Sequence, residues 1–341
     1  MSSVTRFCRR LGVAVWMMGV VVTGAWAGAQ TGTSEATCPS EGWLTLAPGI
    51  HIWQPAPDQE VSTANGGHVM PTSVLVHEGR AWVIDPGPSL KAGQQLKAQI
   101  ACRWQARVER VFNTHAHAEN VLANIAFLAE VERGEVSIGA TQGTRDAMAK
   151  RCPDCLADLT ERIGVEQMAG TDYVVPDAIL SPGEVWRLGP HDLRVHEVKD
   201  AHTLSDLVLV HETAGVAWVG GLAYGQRLPE LAQGSLLGWR RSLAWLQQIR
   251  WTAVVGATVS IAPQPGKQPE ALQQTDAYLR ALQSTVLNAM ESGLQVSEIT
   301  TEENAPFASW TGYPQRHGFN LQRAWRELEP GWMDGVLKPQ R

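Results

Sequence analysis

The chain has 341 residues, of which 44% are hydrophobic, and this is enough apolar material for one large domain or two smaller ones. Its formal net charge is −6 at pH 7. An acidic balance is the opposite of the basic footprint that nucleic-acid-binding proteins carry, so the composition excludes that class.

The first 27 residues have the order of an export signal: basic residues, an apolar run, then a small-x-small cleavage site. These parts are Arg6, Arg9 and Arg10, the run from Leu11 to Val22, and Ala25-Trp26-Ala27. The alternative is an uncut membrane anchor, but about twelve apolar residues are too few to span a bilayer comfortably. We therefore expect a cleaved signal peptide, a periplasmic or secreted protein and no membrane span after cleavage. The export route, Sec or Tat, stays open.

Cleavage removes three of the 28 basic residues, which leaves 25 against 34 acidic residues and a formal net charge of −9. Residues 28–42 contain mostly Gly, Ala, Thr and Ser, with little to bury, and are predicted to form a flexible mature N-terminus. Folded structure is expected from about Trp43.

Four cysteines remain after cleavage, and an even number in an oxidising compartment favours disulfides. The Cys152-x-x-Cys155 motif is compatible with a redox pair or half a zinc site, but a structural bridge is the favoured interpretation. Cys38 and Cys102 then form the second candidate pair, although sequence does not fix connectivity.

Strand and helix patterns alternate along the mature chain, which predicts a mixed sheet with covering helices. Predicted strands cover 49–54, 72–78, 81–85, 106–112, 192–198, 206–212, 216–220 and 251–256, with a hairpin turn at 77–80. Predicted helices cover 89–101, 120–131, 141–151, 236–249, 268–291 and 320–329. We expect one domain over 43–266 and a helical extension over 267–341 that packs on it.

Residues 113–120 read NTHAHAEN and directly follow the predicted strand that ends at Phe112. A His-x-His pair in the loop after a strand can direct both imidazoles, those of His115 and His117, toward one point. A third histidine, His202, lies in another loop between two predicted strands. Catalytic zinc sites commonly use three protein ligands, so these three histidines are the candidate metal ligands.

The motif THAHAEN resembles the His-x-His-x-Asp-His signature of the metallo-β-lactamase-fold hydrolases. The segments VIDPG, DAHTLSD and WVGGLAYG follow in the order of that fold's further site motifs. The resemblance runs from about Trp43 to Glu329 and implies a four-layer αββα sandwich with an extra C-terminal helical region. The segments 227–246 and 310–329 resemble the quinoprotein relay system zinc metallohydrolases, a periplasmic branch associated with quinone-dependent dehydrogenases.

The chain departs from the signature wherever the family binds its second metal. Glu119 and Asn120 stand in place of Asp-His, Gly221 in place of the bridging Asp, and Ala257 in place of a further His. Glycine and alanine supply no side-chain donor, and an amide oxygen is a weak ligand, so we expect one zinc ion per chain.

The resemblance implies a hydrolase that uses a zinc-bound hydroxide on an ester, thioester or amide, with Glu119 as catalytic base. Asp85, Asn120 and Asp206 are expected to support the site. The rival hypothesis is a catalytically degenerate protein that binds a metabolite or a periplasmic quinoprotein dehydrogenase through the cleft that holds the active site in the family. A metal-free scaffold is a third alternative. The sequence does not name the small-molecule substrate or ligand.

Overall fold

The structure is a computed structural model that describes residues 38, 42–56, 59–299 and 306–338. The predicted signal peptide, residues 1–27, lies outside the described residues. The predicted flexible segment 28–42 also lies outside them, apart from Cys38 and Gly42.

A seven-stranded sheet forms from the first half of the mature chain, and its strands lie in chain order. They are β1 (Trp43–Ala47), β2 (Ile50–Trp53), β3 (Thr72–His77), β4 (Arg80–Ile84), β5 (Arg107–Phe112), β6 (Ser137–Ala140) and β7 (Ala178–Ile179). Pairing is antiparallel up to β4 and parallel from β4 to β7. The predicted hairpin turn joins β3 to β4: Glu78 and Gly79 both have positive φ, which suits a two-residue hairpin loop.

A second sheet of six strands follows, in the order β13-β12-β11-β10-β9-β8. Its strands are β8 (Val185–Leu188), β9 (His191–Lys199), β10 (Ser205–His211), β11 (Val216–Trp218), β12 (Ala253–Val255) and β13 (Val259–Ile261). Only the β11–β12 pair is parallel. The last predicted strand, over 251–256, contains β12, and the short strand β13 follows it.

Helices cover the outer face of each sheet. They are α1 (Leu90–Trp104), α2 (Ala118–Val121), α3 (Leu128–Glu132), α4 (Gln142–Ile163), α5 (Leu236–Gln248), α6 (Glu270–Glu291) and α7 (Tyr313–Met333). Short 3₁₀ segments lie at Leu122–Phe127, Gly220–Leu222 and Val296–Glu298.

The two sheets face one another across a shared apolar core. In β10, Leu207 and Leu209 point into the core between the sheets, while Val208 and Val210 point outward into the core under the helices. Alternate side chains of a strand face opposite sides of the sheet, so a central strand of this kind is buried on both faces. The arrangement is the four-layer αββα sandwich that the resemblance implied.

The C-terminal helices share the outer core of the second sheet. Apolar side chains of α5, α6 and α7 belong to one buried cluster with Val208 and Val210. The Glu327 carboxylate of α7 also accepts hydrogen bonds from Ser235 Oγ (2.6 Å), Leu236 N (2.7 Å) and Leu237 N (3.0 Å). Glu327 therefore satisfies free N–H groups at the start of α5, which ties the C-terminal region to the main core.

Three helices differ clearly from their predictions. The helix predicted over 320–329 is part of the longer α7, Tyr313–Met333. The helix predicted over 141–151 continues past Pro153 to Ile163, because Leu159 and Ile163 bury their side chains in the core and offset the lost hydrogen bond. The helix predicted over 120–131 is divided between α2, a 3₁₀ segment and α3.

The structure contains a Cys38–Cys102 disulfide, with the two Cα atoms 5.9 Å apart. The bridge expected between Cys152 and Cys155 is not formed, and both thiols are free. Cys152 packs with Met148, whereas Cys155 packs with a separate cluster around Leu159, so the helix directs the two sulfurs to different surroundings. Within the described residues, no helix combines the length and apolar character needed to cross a membrane.

Candidate metal centre

The loop after β5 carries His115 and His117 at the edge where the two sheets meet. Asn113 N donates to Gly139 O (2.9 Å), which continues the first sheet's ladder. One residue later, Leu207 N of the second sheet donates to Thr114 O (2.7 Å). The backbone on the N-terminal side of His115 is therefore fixed to both sheets.

His202 lies in the tight turn between β9 and β10. Ala201 N donates to Thr203 O (2.9 Å), and the Asp206 carboxylate accepts from Thr203 N (2.9 Å) and Thr203 Oγ1 (2.8 Å). Asp206 thus braces the turn that presents the third histidine, and its supporting role at a metal stays a prediction. Burial raises the pKa of Asp206 to about 6, against the lowering effect of these hydrogen bonds.

The structure brings the three predicted histidines together. One ring nitrogen from each of His115, His117 and His202 lies within 4.8 Å of the other two. His202 Nε2 and His117 Nδ1 are 3.3 Å apart, and the three ring centroids are separated by 4.7, 4.7 and 5.0 Å. Two nitrogens at about 2.0–2.1 Å from a tetrahedral zinc ion are themselves separated by about 3.3 Å, so this spacing suits the metal.

A hydrogen-bond chain below the cluster sets the tautomer of His115. Thr114 Oγ1 donates to Asp85 Oδ2 (2.6 Å) and lies 2.9 Å from His115 Nδ1. Since the hydroxyl proton is used on Asp85, His115 Nδ1–H is the donor to Thr114, and Nε2 keeps its lone pair. That Nε2 atom is buried and has no hydrogen-bond partner. A buried free lone pair among two further imidazoles is what a metal ligand requires.

Burial also keeps two of the imidazoles neutral. Desolvation, followed by the neighbouring His117, holds the pKa of His115 and of His202 well below the ordinary value of 6.5. Metal ligands must be deprotonated, so both rings are in the binding form at neutral pH.

Asp85 is linked to His115 through the Thr114 hydroxyl, and its supporting role at a metal stays a prediction. Burial raises its pKa to about 7, and the hydrogen bonds from the Thr114 hydroxyl and backbone N–H oppose that rise. Its φ is 53°, an uncommon conformation for a residue with a side chain, and Asp85 N donates to Phe112 O (2.9 Å). Asn120 is buried, and its side chain lies beside Asp85, where it favours the carboxylate form.

Glu119, the predicted base, lies in the first turn of α2 and is partly exposed, as is His117. Burial is the main cause that raises the pKa of Asp85 and of Tyr224, and the Glu119 charge adds to both, so the carboxylate lies close enough to influence the two groups. Its role as base stays a prediction.

The two remaining departures from the signature, Gly221 and Ala257, are buried and have no side-chain atom that could bind a metal. Gly221 is in the 3₁₀ turn after β11, and Ala257 follows β12. Ala257 N donates to Ala223 O (2.8 Å), which joins these two loops. Neither residue offers a side-chain ligand.

Sequence reasoning missed the groups that hold the histidines in place. Trp239 is fully buried and packs edge-on to His202 at 4.9 Å, with Nε1 donating to Leu222 O (2.9 Å). Thr114, adjacent to His115 in the motif, was a local signal for the hydroxyl link. The sequence marked Trp239 only as part of the apolar stripe of the helix predicted over 236–249 and as a candidate cleft residue.

Comparison with protein-family models finds none that matches the chain, and comparison with curated proteins finds no match. Solved structures do match. A β-lactamase domain protein from Burkholderia ambifaria has a TM-score of 0.57 and 20% identity, over 88% of this chain and 91% of its own. A metallo-β-lactamase from Pontibacter korlensis has a TM-score of 0.52 and 17% identity, over 70% of this chain and 98% of its own.

A metallo-β-lactamase from Erythrobacter litoralis, solved with β-mercaptoethanol in its active site, has a TM-score of 0.51 and 14% identity. It is covered over 95% of its length, and this chain over 70%. Identities this low carry the architecture alone. Together with the two facing sheets, they show that this chain has the metallo-β-lactamase fold.

Proposed function

We propose that the protein is a hydrolase that holds one zinc ion on His115, His117 and His202 and acts on an ester, thioester or amide. The observation that carries the proposal is the convergence of three ring nitrogens within 4.8 Å, with the buried His115 Nε2 lacking any other partner. In a fold shared with metallo-β-lactamases, this donor set suits zinc, which binds imidazole nitrogen readily.

A zinc ion bound there supplies Lewis acidity, which polarises a carbonyl group and acidifies water. The chain's residues supply the rest. Asp85 and Thr114 fix the His115 tautomer, and Asp206 fixes the turn of His202. His117 and Glu119 are the partly exposed members of the site, so we expect substrate to reach it from their side and Glu119 to act as the base there.

A cavity of about 890 Å³ lies along the turn that follows His202. Thr203 and Leu204 line it, whereas the three histidines and Glu119 do not, so it is a candidate small-molecule pocket next to the metal centre and not part of it. Its wall includes the exposed apolar side chains of Leu204 and Ile179, together with the charged residues Lys150, Lys199 and Glu197. Such a wall accommodates a molecule with both an apolar part and a charged group.

Export and a link to quinone-dependent dehydrogenases complete the proposal. The Cys38–Cys102 disulfide is compatible with an oxidising compartment outside the cytoplasm. The dehydrogenase link rests on the resemblance of the segments 227–246 and 310–329 alone.

The second candidate function is a catalytically degenerate protein that binds a metal or a metabolite. It is favoured by the absence of side-chain donors at Gly221 and Ala257, which leaves only Glu119 and Asn120 beside the three histidines. The two candidates differ in whether the protein turns over a substrate.

Elemental analysis of purified protein tests the metal. About one zinc per chain is expected, and His202→Ala should lose it. His196→Ala, a histidine in β9 outside the cluster, is the matched control and should keep it. Absence of zinc from the wild type after zinc loading and desalting contradicts the proposal, and a value near two contradicts the one-metal assignment.

Turnover on a panel of esters, thioesters and amides separates the two functions. Hydrolysis that depends on zinc and falls about a hundredfold in Glu119→Gln supports the hydrolase. Zinc-loaded protein without turnover on any panel member supports the binding protein.

A further inference from the structure

The space beside Gly221 is occupied by the imidazole of His202. A Cβ atom added at Gly221 would lie 1.9 Å from His202 Cδ2, 2.3 Å from Nε2 and 2.6 Å from Cγ. These separations are far inside van der Waals contact, and the obstructing group is a ring, which cannot give way by bending. Any residue larger than glycine at 221 therefore competes with His202 for the same volume.

The backbone at Gly221 does not itself require glycine. Gly220, its neighbour, has a φ of 52°, but Gly221 is not among the residues with positive φ. An L-residue could adopt the backbone conformation of Gly221, so steric exclusion by the imidazole is the reason that a side chain does not fit there.

The imidazole has little room to retreat. Trp239 packs against it at 4.9 Å between ring centroids, and Tyr224 lies at 6.1 Å. The backbone of its turn is enclosed as well, since a Cβ added at Gly234 would lie 2.1 Å from Ala201 O. A side chain at 221 would thus fit only if His202 and its surroundings were displaced, at a cost in stability and in the geometry of the cluster.

We propose that Gly221 is a positioning residue: the missing side chain makes the room in which His202 completes the three-histidine set. The site is then built for one metal, because a carboxylate restored at 221 would displace His202 instead of adding a second set of ligands. The metal part of this inference rests on the proposed function, whereas the steric part concerns the metal-free chain.

A double-mutant cycle on the metal-free protein tests the steric part. Gly221→Ala should raise the unfolding equilibrium constant by at least about tenfold, because overpacking of a tight site is destabilising. In the His202→Ala background the obstructing ring is gone, and the same substitution should have less than about a threefold effect. An equal effect of Gly221→Ala in both backgrounds overturns the inference.

Gly143→Ala is the matched control. Its added Cβ would lie 2.5 Å from Ser205 Cβ, so it also overpacks, but it does not meet a histidine of the cluster. Its effect should be the same with and without the His202 ring. If Gly221→Ala does not fold alone, recovery of folding in the Gly221→Ala/His202→Ala protein supports the inference, and failure of both to fold while His202→Ala folds overturns it.

Zinc titration against a competing chelator tests the metal part. We expect Gly221→Ala to bind zinc at least about tenfold more weakly than wild type, as displaced ligand supports commonly produce. Gly221→Asp should hold at most one zinc ion, bound weakly. Wild-type affinity in Gly221→Ala, or two tightly bound zinc ions in Gly221→Asp, overturns the inference. If the wild type takes no zinc, the proposed function fails, and the double-mutant cycle still decides the steric claim.

Discussion

Substitution of Thr114 by valine would test whether the hydrogen-bond chain under the cluster prepares His115 for a metal. Valine has nearly the shape of threonine and removes only the hydroxyl. Two contacts are lost: the 2.6 Å bond that Thr114 Oγ1 donates to Asp85, and the 2.9 Å bond that it accepts from His115 Nδ1. The 2.8 Å bond from Thr114 N to Asp85 Oδ1 remains.

The size of the effect follows from these contacts. Asp85 Oδ2 and His115 Nδ1 each lose a partner, at about 1–3 kcal/mol per group, so the metal-free protein should lose about 2–6 kcal/mol of unfolding free energy. Valine offers no oxygen to accept the hydrogen bond from His115 Nδ1–H, so the ring is no longer held in the tautomer that leaves Nε2 free. Zinc affinity should therefore fall by about 10–100-fold, the range seen when partners of ligating histidines are removed.

Two measurements check this prediction: zinc affinity by chelator competition, and urea unfolding of the metal-free protein. Thr144→Val is a matched control, because Thr144 is also buried and its hydroxyl donates to Ser205 O (2.9 Å), outside the histidine cluster. The control should lose stability without losing zinc affinity. A folded Thr114→Val protein with zinc affinity within twofold of wild type would refute the reasoning.

Other predictions concern the framework. The Cys38–Cys102 bridge closes a loop with a sequence separation of 64 residues, so its reduction should cost about 4 kcal/mol of unfolding free energy by the loop-entropy relation. Urea unfolding with and without reductant measures this loss. Equal unfolding midpoints in the two conditions would contradict the prediction. Glu327→Ala removes three hydrogen bonds at the start of α5 and should lower the unfolding free energy by about 2–3 kcal/mol in the same assay. The control Glu329→Ala changes an exposed residue of the same helix and should alter the unfolding free energy by less than about 0.5 kcal/mol. Burial lowers the pKa of His317 from 6.5 to about 4, so the unfolded chain binds a proton at this residue more readily than the folded chain does. The unfolding free energy should therefore be full above pH 6.5 and fall by about 2–3 kcal/mol as the pH drops from 6.5 to 4. His317→Phe should flatten that part of the curve of unfolding free energy against pH, and an unchanged slope would show that another group is responsible.

Local sequence was sufficient for most of the strands and for part of the site. Short runs rich in apolar and β-branched residues, bounded by turn residues, marked β3, β4, β5, β9 and β10, because such side chains pack well in a sheet. His115 and His117 were found because a His-x-His pair directly after a buried strand is a local pattern. The full sandwich came from the resemblance. His202 was a candidate from its loop between two predicted strands, but its closeness to His117 exists only in the folded chain.

Tertiary structure decided what depends on packing between distant segments. The helix α4 continues through Pro153 because Leu159 and Ile163 gain more from burial than the helix loses at proline, and no local rule contains that balance. The free thiols of Cys152 and Cys155 have the same origin, since their helix directs them into separate apolar clusters. Sequence showed that position 221 is a glycine, but only the folded chain placed the His202 ring in the volume that a side chain would have filled. That volume lies between two loops, one after β9 and one after β11, which the second sheet brings together.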